Sequence, residues 1–299
     1  MNKKNDIWAI VTMICMCVTS ICGILSMKCG YAYDFINQYG HTVKIFGYGI
    51  YANDSYFKAP IFIGTDFCIL SVVVPLFFYA YLQYRKKADM ISEIKLISAY
   101  AVAFYYAASI AFGVTYNQIF LVYVILFTSS LFGMFSHIRS VNVRRGIAIT
   151  RGLQIFLMIS GIALIVAWLP DIISPMLKGE TLSLIEVYTT EITYVLDMGI
   201  ISPMCFVCLY LLKKDDHLGV LILAVLLKAC IIVGIMVIPQ TICQMLSGVE
   251  LPLPALLTKV LSFVALGGFA FYYNHRMYRE LKNYNPRQLF PAGKREIIE

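Results

Sequence analysis

The most restrictive feature of this sequence is a series of eight long apolar stretches that occupies most of the chain. A helix needs about 20 apolar residues to cross a hydrocarbon core about 30 Å thick, because each residue advances the helix by about 1.5 Å. Lipid offers no hydrogen-bond partners to the backbone, so helices, which pair these groups internally, are expected. We therefore predict eight transmembrane helices at approximately residues 7–27, 61–84, 94–113, 119–137, 153–169, 190–212, 218–239 and 255–273.

The composition supports a membrane protein and excludes the soluble classes. Of the 299 residues, 60% are hydrophobic and only 14% are charged, whereas a soluble domain carries about 25% charged residues. Soluble, disordered and fibrous proteins are therefore excluded, and the net charge of +7 does not indicate a nucleic-acid partner. The predicted fold class is an all-α integral membrane protein, with a bundle of eight transmembrane helices over residues 1–274 and a basic cytoplasmic tail over residues 275–299.

The distribution of Lys and Arg predicts the orientation in the membrane. Cytoplasmic loops of membrane proteins carry an excess of basic residues. With the N-terminus inside, eighteen basic residues fall on the cytoplasmic side, and four fall outside: Lys28, Lys44, Lys58 and Lys178. The first stretch is too long for the apolar region of a signal peptide. We expect a multi-pass protein of the cell (inner) membrane, with the N- and C-termini both cytoplasmic.

Two of the predicted helices share a pattern that suggests an internal repeat. The second has Asp66 near its outer end and Pro75 at its middle, and the sixth has Asp197 and Pro203 in corresponding places. Each ends in a basic cluster. A shift of four helices keeps every direction, so the pattern is compatible with a 4+4 parallel repeat about an axis along the membrane normal. It is equally compatible with features common to unrelated spans.

No cysteine or histidine pattern indicates a redox or metal site. Cys205 and Cys208 form a C-x-x-C within a predicted span without a nearby histidine, so we expect them to pack as small apolar residues. A disulfide between Cys29 and Cys243 is left open. We expect the histidines to be interfacial or solvated; they are His41, His137, His217 and His275.

Motifs for catalysis are equally lacking in the sequence. It contains no H-E-x-x-H, no glycine-rich phosphate loop and no G-x-S-x-G. We therefore predict no catalytic residues, no metal ligands and no cofactor, and an enzyme is the less favoured interpretation.

The residues that point to a functional site are ionisable side chains within apolar spans. A charged side chain at the centre of a bilayer costs about 2.5–3.5 kcal/mol on insertion scales, so such residues usually face the bundle interior. Here they cluster in the outer half of the membrane, and Thr190, Thr193 and Asp197 share one helical stripe. The predicted pocket consists of Asp66, Thr190, Thr193, Asp197, Lys228 and Lys259, with Glu191, Tyr105, Tyr116 and Asn117 as secondary candidates.

Within this pocket, we predict an ion pair between Asp197 and Lys228. The two residues lie on consecutive spans that form a hairpin, and their depths differ by about five residues, or roughly 7.5 Å. The side chain of a lysine covers most of that distance. Such charges can also serve only to fix helix packing, and this structural interpretation stays open beside the functional one.

Three groups of residues resemble one protein family. They are Asn53, Asp54 and Ser55 with Gly64, Thr65 and Asp66; Phe112 and Gly113 with Tyr116, Asn117 and residues 120–124; and residues 188–190 with Thr193, Leu196 and Asp197. Together they resemble an uncharacterised family of bacterial multi-pass inner-membrane proteins. No activity is attached to that family, so the resemblance implies topology and candidate residues at the outer ends of the spans.

Three functions are compatible with these features. The favoured one is a transporter or permease-like component with an outward-facing pocket for a small polar or ionic solute. A partner-binding or sensing protein, for example an accessory to an ATP-driven exporter through a membrane partner subunit, would explain the charges as structural. A membrane-embedded enzyme acting near the outer headgroups would use Asp197 as acid or base.

Overall fold

The structure, a computed structural model, describes residues 6–28, 30–143, 147–182, 185–251 and 253–283. Long helices dominate these residues. In chain order they are α1 (Ile7–Ile24), α2 (Ala59–Cys68), α3 (Val74–Lys87), α4 (Met90–Gly113), α5 (Phe120–Ser140), α6 (Arg151–Lys178), α7 (Ile192–Leu196), α8 (Ser202–Lys213), α9 (His217–Leu246) and α10 (Leu253–Asn283).

Seven helical stretches in the described residues are long and apolar enough to cross a membrane. Five are single helices, namely α1, α4, α5, α6 and α9. The other two are composite: α2 with α3 over Ala59–Lys87, and α7 with α8 over Ile192–Lys213. The eighth predicted span, 255–273, falls within α10, where the side chains of residues 252–256, Thr258 and Lys259 lie outside the described part of the chain. The fold is therefore a helical membrane protein, and the count of eight spans stays a prediction.

Both composite spans contain one turn of π-helix at the same place relative to a proline. The turns are Ile69–Val73 and Asp197–Ile201, and Pro75 and Pro203 each follow at the start of the next helix. Proline lacks the N–H that an α-helix needs and clashes with the preceding turn, so a wider turn relieves the mismatch. A π-helical turn thus lets each span continue through its proline.

Two helices continue past a proline where the sequence predicts their end. The fifth span was expected to end at residue 169, before Pro170, yet α6 continues to Lys178 with Pro170 and Pro175 inside it. Likewise α9 continues through Pro239 to Leu246. Proline interrupts the helices of soluble proteins, but the long helices of membrane proteins tolerate it. The loop expected to begin at residue 170 therefore begins later. Helix α6 ends at Lys178, and its cap is Gly179, whose φ of +70° is the left-handed conformation.

A small β-hairpin marks one end of the bundle. Strands β1 (Tyr33–Ile36) and β2 (Thr42–Ile45) pair antiparallel, with Tyr33 opposite Ile45 and Ile36 opposite Thr42. We call this the hairpin end; it also contains the loop residues 46–58, 179–182, 185–191 and 247–251. The opposite end carries a basic cluster at the ends of α3 and α8, formed by Arg85, Lys86, Lys87, Lys213 and Lys214, and we call it the basic end. The sequence predicts that the hairpin end faces outward and the basic end faces the cytoplasm.

The helices pack into two main apolar cores. One lies among α1, α2, α3, α4 and α5, and the other lies among α6, α8, α9 and α10 with the start of α4. Cys205 and Cys208 are buried in the second core as free thiols. Large apolar side chains also cover the outer faces of the helices, as at Ile14, Phe132, Val166, Phe206 and Phe271. Faces of this kind are expected to contact lipid rather than water.

Candidate functional site

A cavity of about 310 Å³ extends from the hairpin end into the bundle. Its walls come from α2, α4, α6, α7, α9 and α10. Lys58 and Glu191 bound it at the hairpin end, and Val102 and Cys230 line it deeper in the bundle. Most of its walls are apolar. Five of the residues selected from the sequence line this cavity together: Tyr105, Thr190, Glu191, Thr193 and Asp197.

Asp197 is the charged group most deeply enclosed by this cavity. Its carboxylate accepts one hydrogen bond from the hydroxyl of Tyr105 at 2.8 Å and another from the indole N–H of Trp168 at 3.0 Å. The side chain is 8% exposed, and the residue begins the π-helical turn that joins α7 to α8. Both donors are neutral, so the site orients the carboxylate without neutralising it.

An ion pair between Lys58 and Glu191 crosses the hairpin end of the cavity. The Lys58 ammonium donates to Glu191 Oε2, and each side chain is little exposed. The same ammonium lies 4.2 Å from the centroid of the Tyr188 ring. Attraction between a cation and an aromatic face adds to the ion pair when water is excluded. These contacts connect the residue that precedes α2 with the residue that precedes α7.

Next to this ion pair, a buried polar cluster joins the loops of the hairpin end. Asp54 Oδ1 accepts hydrogen bonds from the Tyr188 hydroxyl and the Thr115 N–H, each at 3.0 Å, and Ser55 donates to the carboxylate of Glu186. Burial raises the pKa of the Asp54 carboxyl to about 7, and the hydrogen bonds from Thr115 and Tyr188 oppose this only in part. Burial also raises the pKa of Glu186, against the hydrogen bond from Ser55. Both carboxyl groups of this cluster therefore bind a proton more tightly than they would in water.

We expect the stability of the protein to fall as the pH rises through the range in which Asp54 titrates. Its pKa is raised from 3.8 to about 7, so the folded state binds the proton more tightly than the unfolded state does. The free energy of unfolding then decreases between these values, by at most about 1.4 kcal/mol per pH unit for one group. Asp54→Asn should make the free energy of unfolding depend less steeply on pH. The part of the pH dependence that comes from Glu186 should remain.

Unfolding by sodium dodecyl sulfate in mixed micelles at pH 5, 6, 7 and 8 measures this dependence. Asp216→Asn is the matched control, because Asp216 is solvent-accessible at the basic end, where it caps α9. Identical slopes for wild type and Asp54→Asn would show that the Asp54 proton is not linked to folding.

Asp66 lies outside the cavity, although its neighbour Thr65 lines it. Its side chain is fully buried, and its two oxygens accept hydrogen bonds of 2.6 Å from the hydroxyls of Tyr51 and Tyr106. Gly23 of α1 packs directly against the carboxylate, where any β-carbon would overlap Oδ2. The sequence predicts that Asp66 and Asp197 face one pocket. In the structure they do not, because only Asp197 lines the cavity.

The predicted ion pair between Asp197 and Lys228 is wrong. Within the described residues, Asp197 forms no salt bridge, and each of its oxygens accepts a hydrogen bond from a neutral donor, Tyr105 or Trp168. Lys228 lines a separate cavity of about 150 Å³, together with Lys95 and Tyr278. The prediction used only the depth of the two residues in the membrane. In the structure, the side chain of Lys228 lies on a side of α9 that faces away from α7.

Two further candidates, Tyr116 and Asn117, do not line the cavity. Tyr116 is exposed. Asn117 is buried, donates to the Tyr123 hydroxyl at 3.1 Å and accepts from the Ile119 N–H, so it fixes the start of α5. The side chain of Lys259 lies outside the described part of the chain.

A second buried ionisable cluster lies at the basic end, where the sequence did not predict one. His137, expected to be interfacial or solvated, is only 1% exposed and bridges two carboxylates. Its Nε2 lies 2.9 Å from Asp6 Oδ2, and its Nδ1 lies 3.3 Å from Glu93 Oε1. The hydroxyl of Tyr100 also donates to Asp6 at 2.8 Å. The cluster joins the first residue before α1 to the ends of α4 and α5 that meet there.

The arrangement of the cavity beside Asp197 suits binding more directly than catalysis. Among the described residues, no group of three histidine, cysteine, aspartate or glutamate side chains is placed to hold a metal ion. Asp197 combines a charged acceptor with aromatic and apolar walls, which is the usual composition of a small-molecule pocket. The fold and the site thus define a polytopic helical membrane protein with an intramembrane cavity. Comparisons with known protein families, curated proteins and solved structures find no match to the chain.

Proposed function

We propose that this protein is a transporter or permease-like component that takes a small solute from the hairpin side of the membrane. The observation that carries the proposal is the cavity of about 310 Å³ with Asp197 in its wall. A carboxylate within an apolar span lowers the stability of the protein in the membrane. If its role is only structural, we expect its side chain to be fully packed among protein atoms and not to line a cavity. Asp66 and His137 are packed in that way, whereas Asp197 faces the cavity.

The local backbone also supports transport. Asp197 begins a π-helical turn followed by Pro203, so the helix that carries it is interrupted at the level of the cavity. Interrupted helices at the binding site are common in secondary transporters, because they free backbone groups for ligands and allow two segments to move separately. The ion pair between Lys58 and Glu191, at the hairpin end, is placed to link the two interrupted spans.

The topology that we propose for this function has eight spans with both termini in the cytoplasm. A 4+4 parallel repeat is its natural description. In its favour, α2 with α3 and α7 with α8 carry their π turns and prolines in matching places. In addition, α2 packs on α9, and α7 packs on α4, which are equivalent pairs under a shift of four spans. In this description α4 and α9 lie next to the axis, and the cavity forms on one side of it.

Reaction with a thiol reagent tests which side of the membrane the cavity faces. Thr193→Cys should react in intact cells with a small charged methanethiosulfonate that does not cross membranes, because Thr193 lines the cavity. Val207→Cys is the matched control, since Val207 is exposed on the outer face of α8, where lipid is expected. The unmodified chain supplies the background from its own cysteines. Reaction of Thr193→Cys in inverted vesicles alone would place the opening on the cytoplasmic side.

We expect Asp197→Asn to reduce solute uptake by roughly tenfold or more. A hydrogen bond to a charged group is worth about 1.5–3 kcal/mol, and the amide no longer offers a charged acceptor. Proteoliposomes incubated with a panel of labelled amines, carboxylic acids and neutral polar metabolites measure the uptake. Lys228→Met should retain it, because Lys228 lines a different cavity. If no solute enters faster than it enters empty liposomes, the protein is a binding or sensing protein, and the transport proposal is wrong.

A further inference from the structure

We infer that the cavity binds an amphiphilic organic cation, with an ammonium or guanidinium head beside Asp197 and a compact apolar body among the helices. This inference rests on the proposed function, because it names the chemical class of the solute that the same site takes.

The balance of charge in the cavity favours a cationic head. Lys58 is the one basic residue among the described lining residues, and it is neutralised by Glu191 and covered by the Tyr188 ring. The negative charge that remains in the wall belongs to Asp197. A carboxylate has about four acceptor positions, and Tyr105 and Trp168 occupy two of them. Positions thus remain for N–H donors of a ligand.

Aromatic rings stand next to this carboxylate. The ring of Trp168 stacks on that of Tyr194, with centroids 4.8 Å apart and an interplanar angle of 27°. Both residues line the cavity, as does Tyr105. Aromatic faces attract cations and are a common partner of a carboxylate in sites for ammonium groups. An anionic head at the same place would face like charge from Asp197 and the electron-rich faces of the rings.

The rest of the cavity suits an apolar body of limited size. The described lining beyond Asp197 is mostly aliphatic or aromatic, as at Ile61, Val102, Ile110, Val233 and Phe263. Its volume of about 310 Å³ lies at the small end of the range of roughly 300–1,000 Å³ seen for ligand pockets. A small inorganic ion would make no apolar contacts with these walls, and a charged polar metabolite would gain little binding free energy from them. A short alkyl or aryl amine matches both the head and the walls.

The fluorescence of Trp168 provides a direct readout of binding. The chain has two tryptophans, so Trp8→Phe leaves Trp168 as the single reporter in the cavity. Purified protein is titrated at neutral pH with hexylammonium, 1-hexanol and hexanoate, which share a six-carbon chain and differ in the charge of the head. We expect the ammonium compound to bind about tenfold or more tightly than the other two. Equal binding of all three would overturn the inference.

Variants of the single-tryptophan protein identify the group that selects the cation. Asp197→Asn should weaken binding of the ammonium compound by about tenfold or more and leave 1-hexanol within about threefold. Lys228→Met should leave both unchanged. Thr193→Lys places an ammonium one helical turn from Asp197 and should likewise block the cationic ligand, which keeps the test decisive if Asp197→Asn does not fold. Unchanged ammonium binding in Thr193→Lys would overturn the inference.

The two proposals fail in different experiments. If 1-hexanol binds as tightly as the ammonium compound while Thr193→Cys still reacts from outside, the ligand class is wrong and the outward-facing pocket stands. If the ammonium compound binds through Asp197 but no solute enters proteoliposomes, transport is wrong and the cation site stands.

Discussion

Gly23→Ala is expected to lower the free energy of unfolding by about 2–4 kcal/mol, which is a large effect for the addition of one methyl group. In the structure, a β-carbon at position 23 would overlap Oδ2 of Asp66 and lie 2.6 Å from its Cγ. Asp66 cannot move away freely, because Tyr51 and Tyr106 hold both of its oxygens at 2.6 Å. Displacement of the carboxylate would break these bonds and leave buried polar groups without partners, at about 1–3 kcal/mol each.

Gly268→Ala is the matched control for this prediction. A β-carbon at Gly268 has no atom within 4 Å, and alanine favours a helix by about 1 kcal/mol over glycine. Its stability in mixed micelles with sodium dodecyl sulfate should therefore equal or exceed that of the wild type. A second variant, Gly23→Ala with Asp66→Gly, removes the overlapping side chain and should destabilise by less than the two single changes together. A loss for Gly23→Ala no larger than that for Gly268→Ala would show that α1 and α2 do not approach so closely.

The helical fold could be predicted from sequence because apolar length is a local property. The predicted span 94–113 lies within Met90–Gly113, and the predicted span 7–27 overlaps Ile7–Ile24. Errors arose where a rule taken from soluble proteins was applied to a membrane helix. Pro170 predicts a helix end, but α6 passes through it to Lys178, although most of its residues from 169 onward are exposed. Helices that cross a membrane tolerate proline.

The candidate cavity was only partly predictable, for a geometric reason. Thr193 and Asp197 lie four residues apart on one span, so helical periodicity suffices to place them on one face. Thr190 lines the cavity from the loop that precedes α7. The partners of Asp197 lie on α4 and α6, and only the three-dimensional packing brings Tyr105 and Trp168 to it. The depth of Lys228 is compatible with a contact to Asp197, but its side chain lies on the wrong side of α9 for that contact. Depth follows from residue counting, whereas the direction in which a side chain points depends on how neighbouring helices rotate.

The positions of Asp6, Glu93 and His137 in the sequence are consistent with the buried cluster at the basic end, although residue depth alone does not predict it. Asp6, Glu93 and His137 each lie near the end of a predicted span that reaches the cytoplasmic side. Residues at such ends are usually solvated, so each one alone predicts nothing. Only the contacts of α1 and α4 with α5 show that the three side chains meet in a buried place.

His137→Phe is expected to destabilise the protein by about 3–5 kcal/mol, the cost of removing one partner from a buried ionic group. The imidazole bridges Asp6 at 2.9 Å and Glu93 at 3.3 Å, and the Tyr84 ring packs edge-on against it with centroids 4.8 Å apart. Phenylalanine preserves that aromatic packing. It leaves the two carboxylates close together and without the positive or hydrogen-bonding group between them, so their mutual repulsion is no longer compensated.

A double-mutant cycle separates this electrostatic cost from a loss of shape. Asp6→Asn in the His137→Phe background removes one of the two carboxylate charges, so the double variant should be more stable than the sum of the single losses predicts. His217→Phe is the matched control, because the side chain of His217 is 71% exposed at the same end of the bundle, and its replacement should change stability by no more than about 0.5 kcal/mol. The comparison uses the free energy of unfolding in mixed micelles for five proteins: the wild type, His137→Phe, Asp6→Asn, their double variant and His217→Phe. Strictly additive losses, or equal effects of the two histidine replacements, would show that His137 does not connect α1 to α4 through these carboxylates.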